Sequence, residues 1–159
     1  MTSPLIDPTS PRVFIDSSVL ISGMISKRGA SYALLLLAEL GLVRFITCPY
    51  IQKETERNLG AKVPEILPLY HQFTARMNWE LVADPSSEQV LPLISVIPPK
   101  DAPVLAAAIN SSPDRLVTLD TAHFIRAVNV SQMSGLIICT PGDLLREIRQ
   151  LLAKGFGHQ

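Results

Sequence analysis

The sequence predicts an α/β protein, a three-layer α/β/α sandwich around a mainly parallel central sheet. Three observations predict it. Short apolar runs alternate along the chain with longer helix-like segments, the order of strand–crossover–strand units. The runs, such as Val13-Phe14-Ile15, are apolar on successive residues, as in strands covered on both faces. The chain has 159 residues, 47% apolar and 18% charged, which suits one domain with a sizeable core and excludes a disordered chain.

Residues 1–11 carry Pro4, Pro8 and Pro11 among Ser and Thr and read as a flexible lead-in to a domain over 12–150, with 151–159 as a helix end and tail. Val13-Phe14-Ile15 is the first strand and stops at Asp16. Helices follow over 17–25 and 30–40, split by Lys27-Arg28-Gly29; the leucines at 34–37 are apolar nearly all round and predict deep packing. A second strand covers 43–47, and Pro49 opens a helix that carries Glu54 and ends near Gly60. Residues 64–77 form another helix, interrupted at Pro68, and 79–82 a strand. Pro92 and Pro98 leave 86–97 open between structures. Asp101 then heads an Ala-rich helix over 102–109. A strand over 116–119 ends at Asp120, with a short helix to about 128; the last strand is 136–139, and Pro141-Gly142-Asp143 opens a helix to about 153.

Asp16 and Asp120 thus stand at the carboxyl ends of strands, while Asp101 and Glu54 stand near helix starts. In an open α/β sheet both kinds of position face one edge, where ligands bind. An Asp at a strand-to-helix junction is also an ordinary N-cap, and Glu54 among Lys53, Glu56 and Arg57 could be a solvated helix residue. If the four carboxylates converge, their hard oxygens suit Mg²⁺ or Mn²⁺, which can activate water for in-line displacement at phosphorus. Packed together without metal, at least one should hold its proton to unusually high pH.

Other chemistries lack their residues. Cys48 and Cys139 have no Cys or His at ligand spacing and read as reduced core thiols. No nucleophile elbow and no Gly-rich phosphate loop is present. His71, His123 and His158 read as structural or surface residues. A dehalogenase-type phosphotransferase would need an acid where Ser18 stands, and a receiver domain an acidic pair where Phe14-Ile15-Asp16 supplies one. The N-terminus has no basic or apolar leader and no apolar run approaches a membrane span, so the expected location is cytoplasmic, with no membrane partner.

Four stretches carry a resemblance: Val13-Phe14-Ile15-Asp16-Ser17-Ser18-Val19-Leu20, Gln52-Lys53-Glu54-Thr55-Glu56-Arg57-Asn58-Leu59, Lys100-Asp101-Ala102-Pro103-Val104-Leu105-Ala106-Ala107-Ala108 and Leu116-Val117-Thr118-Leu119-Asp120-Thr121-Ala122-His123-Phe124. In that order, over about 12–150, they resemble the PIN-domain ribonucleases, in particular the bacterial toxin components of toxin–antitoxin pairs (VapC-like). The resemblance implies that Asp16, Glu54, Asp101 and Asp120 bind one or two Mg²⁺ or Mn²⁺ ions and carry catalysis, with Glu54 binding metal through a water or orienting the attacking water. It implies that Ser18, or Ser17, hydrogen-bonds the first carboxylate and that Thr118 does similar work near the last. The family often has Thr and then Asn or Ser after its first acid; both are Ser here.

The activity so implied is endonucleolytic hydrolysis of single-stranded RNA to 5′-phosphate and 3′-hydroxyl ends, with an antitoxin protein as partner. A housekeeping RNA-processing nuclease and a non-catalytic scaffold for RNA or protein are the alternatives. Lys27, Arg28, Lys53, Arg57 and Lys100 flank the acid-bearing segments as candidate phosphate contacts, or are ordinary surface charge. A homodimer is expected from the family, through the apolar segments 32–42 and 64–77, which could equally be core. Fourteen bases balance fourteen acids. That excludes a simple polybasic binder, yet without the four proposed ligands ten acids remain against fourteen bases, a mildly positive shell around a negative pocket.

Overall fold

Five strands form one all-parallel sheet in the computed structural model, which describes residues 10–126 and 128–156. They are β1 (Arg12–Ile15), β2 (Arg44–Thr47), β3 (Glu80–Leu81), β4 (Arg115–Val117) and β5 (Ile138–Cys139), in spatial order β3-β2-β1-β4-β5. Phe14 sits between Ile46 on β2 and Leu116 on β4, so the first strand is the middle one. The chain builds outward to β3 on one side and then crosses back to start β4 on the other. The direction of winding therefore reverses at β1, the position where open α/β sheets leave a crevice at their carboxyl edge.

Burial explains why the strands read as unbroken apolar runs. Val13 and Phe14 point to opposite faces, as do Phe45 and Ile46 and Leu116 and Val117, and all six are fully buried. Both faces of the sheet are therefore covered, by helices α1 (Ser17–Ile25), α2 (Ala30–Glu39), α3 (Pro49–Lys62), α4 (Leu67–Arg76), α5 (Ser87–Val90), α6 (Ala102–Ser111), α7 (Val128–Ser134) and α8 (Pro141–Phe156). Cys48 and Cys139 are free and buried, with burial pushing their thiols up to about 11 and about 12. Among the described residues no helix is long and apolar enough to cross a membrane.

Several expectations need correction. β4 ends at Val117 rather than 119, so Asp120 lies in the following turn, not at the strand end. The short helix expected to about 128 is a π turn, Thr121–Ile125, closed by the Arg126 N–H donating to Thr121 O at 2.7 Å, and α7 follows as a separate helix. The open segment 86–97 holds α5, started by a reciprocal capping box between Ser86 and Gln89, and a 3₁₀ turn, Leu91–Leu93. A 3₁₀ turn, Pro64–Ile66, precedes α4, which places Pro68 in a first helical turn where its missing N–H is harmless. The leucine stretch is only partly deep: Leu34 and Leu35 are buried, whereas Leu36 is 41% exposed.

Segments 32–42 and 64–77 divide in the same way. Leu34, Leu35, Ala38, Tyr70 and Phe73 belong to the core, while Leu36, Leu40, Leu42 and Leu69 face outward. Most of the expected lead-in, residues 1–9, and the tail residues 157–159 with His158 lie outside the described residues. Ser10 and Pro11 are already tied to the sheet layer, through Ser10 Oγ to Gly41 O (2.8 Å) and Arg44 N to Pro11 O (2.9 Å).

Candidate metal centre

Asp16 follows the middle strand, and its backbone N–H still donates to Val117 O at 3.0 Å, which fixes its place at the carboxyl edge. Its carboxylate makes no capping bond to α1. Instead Oδ2 accepts from Ser18 Oγ (2.8 Å) and Thr118 Oγ1 (2.7 Å). Each hydroxyl also accepts from a backbone N–H of the turn after β4, Ser18 from Leu119 (3.1 Å) and Thr118 from Asp120 (3.0 Å). The two hydroxyls thus clamp the first acid to the segment that carries the last. Burial pushes the Asp16 carboxyl above its ordinary range against these hydroxyl bonds, and the charge of Asp120 adds to the rise.

Asp101 heads α6, and it too makes no capping bond. Its Oδ2 is buried and accepts no hydrogen bond, with His123 Nδ1 3.5 Å away. Burial first, and then the charges of Asp120 and Asp16, push the Asp101 carboxyl up to about 6, with Lys100 and His123 opposing. Asp120 is the one true cap of the three: Oδ1 accepts the His123 backbone N–H (3.1 Å) and Oδ2 meets His123 Nδ1 at 2.8 Å. One ligand atom each of Asp101, Asp120 and His123 therefore lies within 4.8 Å of the others.

Glu54 stands on α3, half-buried, and its Oε2 accepts from Ser17 Oγ at 3.0 Å. The two serines after Asp16 hence divide their work, Ser18 to Asp16 and Ser17 to Glu54, because successive helical positions point about 100° apart. The four expected acids do not form one tight cluster. Asp101 and Asp120 meet; Asp16 is near enough to act on Asp101 through its charge, and Glu54 is reached across Ser17. His123, read from the sequence as structural, takes part in the tight group. The signal for it was its spacing: three residues after Asp120, a helical turn returns the imidazole onto the carboxylate that heads it.

Among the basic candidates, Lys100 and Arg57 fall beside the acids: Lys100 acts through its charge on Asp101 and Arg57 on Tyr50, which itself feels Glu54 and Asp101. Lys53 is exposed on α3, Arg28 is exposed between α1 and α2, and Lys27 lines a groove between α1, α2 and α4. Two carboxylates and an imidazole, with a buried oxygen that lacks a donor, are a donor set fit for one divalent ion. Thr118→Val keeps the shape of the clamp but removes a donor from Asp16 and an acceptor from the Asp120 N–H. The expected loss is about 1–3 kcal/mol, measured as a lower midpoint of urea unfolding with an unchanged slope.

Residues 12–122 match a family model described as PIN domain. No curated protein matches the sequence. Solved structures with this fold include VapBC2 from Rickettsia felis bound to a DNA fragment from their promoter, 17% identical, with a TM-score of 0.58 over 81% of this chain and 98% of that one. DNA-bound VapBC from Salmonella typhimurium is 14% identical, with a TM-score of 0.61 over 82% and 98%. PAE2754 from Pyrobaculum aerophilum is also 14% identical, with a TM-score of 0.60 over 94% and 99%. At these identities the likeness is one of fold.

Proposed function

The chain belongs to the PIN-domain family, and from that membership we propose that it is a Mg²⁺- or Mn²⁺-dependent endoribonuclease that hydrolyses phosphodiester bonds in single-stranded RNA. The observation that carries the reading is Asp101 Oδ2, buried without a hydrogen-bond donor and facing Asp120 and His123. A divalent ion held there supplies Lewis acidity toward a phosphoryl oxygen and lowers the pKa of water. Asp101, Asp120 and His123 hold the ion on this reading. Asp16, fixed by Ser18 and Thr118, closes the site from the β1 side and adds the negative charge that favours a cation. Glu54, steadied by Ser17, orients the attacking water. Lys100 and Arg57 attract the flanking phosphates.

The test is cleavage of a fluorogenic single-stranded RNA by the purified protein with Mn²⁺ or Mg²⁺. Cleavage that stops with EDTA and leaves 5′-phosphate and 3′-hydroxyl ends is the expected result. Turnover that persists in EDTA, or none with either ion, overturns the reading.

The toxin role belongs to the same proposal, supported by family membership and by the VapBC structures that share the fold. Its antitoxin would lay an apolar segment into the groove of about 230 Å³ walled by Met24, Tyr32, Leu35, Leu36, Leu69 and Phe73. Growth arrest on expression, relieved by the product of an adjacent gene, is the expected outcome. A homodimer, measured by light scattering, completes this reading.

A further inference from the structure

Beside the acids, on the same edge of the sheet, lies a second cavity of about 430 Å³, walled by Tyr50, Asp84, Pro85, Val90, Leu91 and Pro103. Its volume falls in the range of about 300–1,000 Å³ typical of small-molecule sites. Tyr50 and Pro103 link it to the segments that carry Glu54 and Asp101. Tyr50 lies one helical turn before Glu54 on α3, and its hydroxyl donates to the carbonyl of Lys100, the residue before Asp101, at 2.8 Å. Pro103 lies in the first turn of α6, the helix that Asp101 heads.

The wall is largely apolar and includes an aromatic ring and two prolines, surfaces that accept the face of a base. Leu91, on the same wall, is 61% exposed. The charged group on the wall is Asp84, whose Oδ1 accepts the Tyr50 backbone N–H at 2.8 Å, a bond that ties the carboxylate to the start of α3. A carboxylate repels phosphate and can only accept hydrogen bonds, so its partner in a bound nucleotide must be a donor on the base.

We propose that this cavity is a nucleobase subsite, seating a base next to the scissile phosphate, with Asp84 selecting bases that carry an exocyclic amine over uracil. The proposal rests on the single-stranded RNA reading above and names what that site selects. Guanine, adenine and cytosine each bring an amino group to the carboxylate. Uracil brings one N–H between two carbonyls that the carboxylate repels. Single-stranded RNA offers both the open face for stacking on Tyr50 and the free edge for Asp84. Lys100 and Arg57 lie beside this wall, where they can meet the adjoining phosphates.

The experiment measures binding apart from chemistry. Fluorescence anisotropy in EDTA compares the all-uracil pentanucleotide with versions carrying one guanine, adenine or cytosine. The wild-type protein is expected to bind the amine-bearing versions about tenfold more tightly. Asp84→Asn keeps an oxygen for the Tyr50 N–H but presents an amide donor, and is expected to erase or invert that preference. Tyr50→Leu weakens all versions about tenfold, and Tyr50→Phe, which keeps the ring, does not. Equal affinity for all the pentanucleotides, or a preference unchanged by Asp84→Asn, overturns the subsite. Base-selective binding without any Mn²⁺-dependent cleavage supports the subsite and overturns the hydrolysis; unselective binding with cleavage does the reverse.

Discussion

Asp101→Asn is expected to lower RNA cleavage by about a thousandfold, the several kcal/mol a bound ion supplies to a transition state, while stabilising the metal-free protein at pH 8. The two effects have one cause. The Asp101 carboxyl is pushed up to about 6 by burial and by Asp120 and Asp16, so at pH 8 the folded protein holds an ionised group it would otherwise protonate. A carboxyl whose folded pKa lies above its unfolded value of 3.8 contributes stability below pH 4 and loses it as pH rises through about 6. The loss amounts to about 1–2 kcal/mol once solvent screening is allowed for. Asn carries no charge and avoids it. The midpoint of urea unfolding, measured for both proteins from pH 4 to pH 8, should show a gap that opens as pH rises. A gap of constant size, or a variant less stable at every pH, would mean that Asp101 serves the fold rather than an ion.

Mn²⁺ is expected to reverse this pH dependence. Binding only the folded state, it stabilises by about 2.7 kcal/mol at one hundred times its dissociation constant, a rise in melting temperature of about 5–10 °C for a chain of this size. Its affinity should climb between pH 5 and pH 7, because Asp101 must release its proton to become a ligand. The apo protein therefore loses stability across this interval while the stabilisation by Mn²⁺ grows. Differential scanning fluorimetry with Mn²⁺ and then EDTA at several pH values checks both. A melting temperature indifferent to Mn²⁺ at pH 8 would remove the metal centre. A shift present in the wild type and abolished by His123→Ala would make the imidazole a ligand.

The features legible in the sequence were those set by runs of residues. Val13-Phe14-Ile15 followed by Asp16 announces a buried strand with a charge at its end, and the Ala-rich stretch after Asp101 announces a packed helix. What was hidden depends on geometry over one turn. Ser17 and Ser18 are equivalent as letters, and only the helix rotation assigns one to Glu54 and the other to Asp16. Asp120 seemed to end a strand because Thr118 and Leu119 continue a strand-like run, yet the ladder stops at Val117 and the Thr118 side chain turns to Asp16. The π turn from Thr121 to Arg126 adds a residue to a helical turn, which no propensity encodes. α7, with Val128, Val130, Asn129 and Ser131, is built from residues of modest helix preference. The competition between caps and ligands was settled by individual oxygens: Asp120 caps, Asp16 and Asp101 do not.

The strand order has a consequence for the order of synthesis. Asp16 is made well before one of the two hydroxyls that clamp it, Thr118, which follows 102 positions later, across the longest jump in the sheet. β4 must reach the middle of the sheet before Asp16, Asp101, Asp120 and His123 can share one pocket. Contacts of such wide separation close slowly. A nascent fragment ending at α5 would carry β1, Ser18 and Glu54 but neither Asp101 nor Thr118. On the proposed nuclease reading, the pocket that would hold the ion is assembled only after Asp101, Thr118 and His123 have all been made.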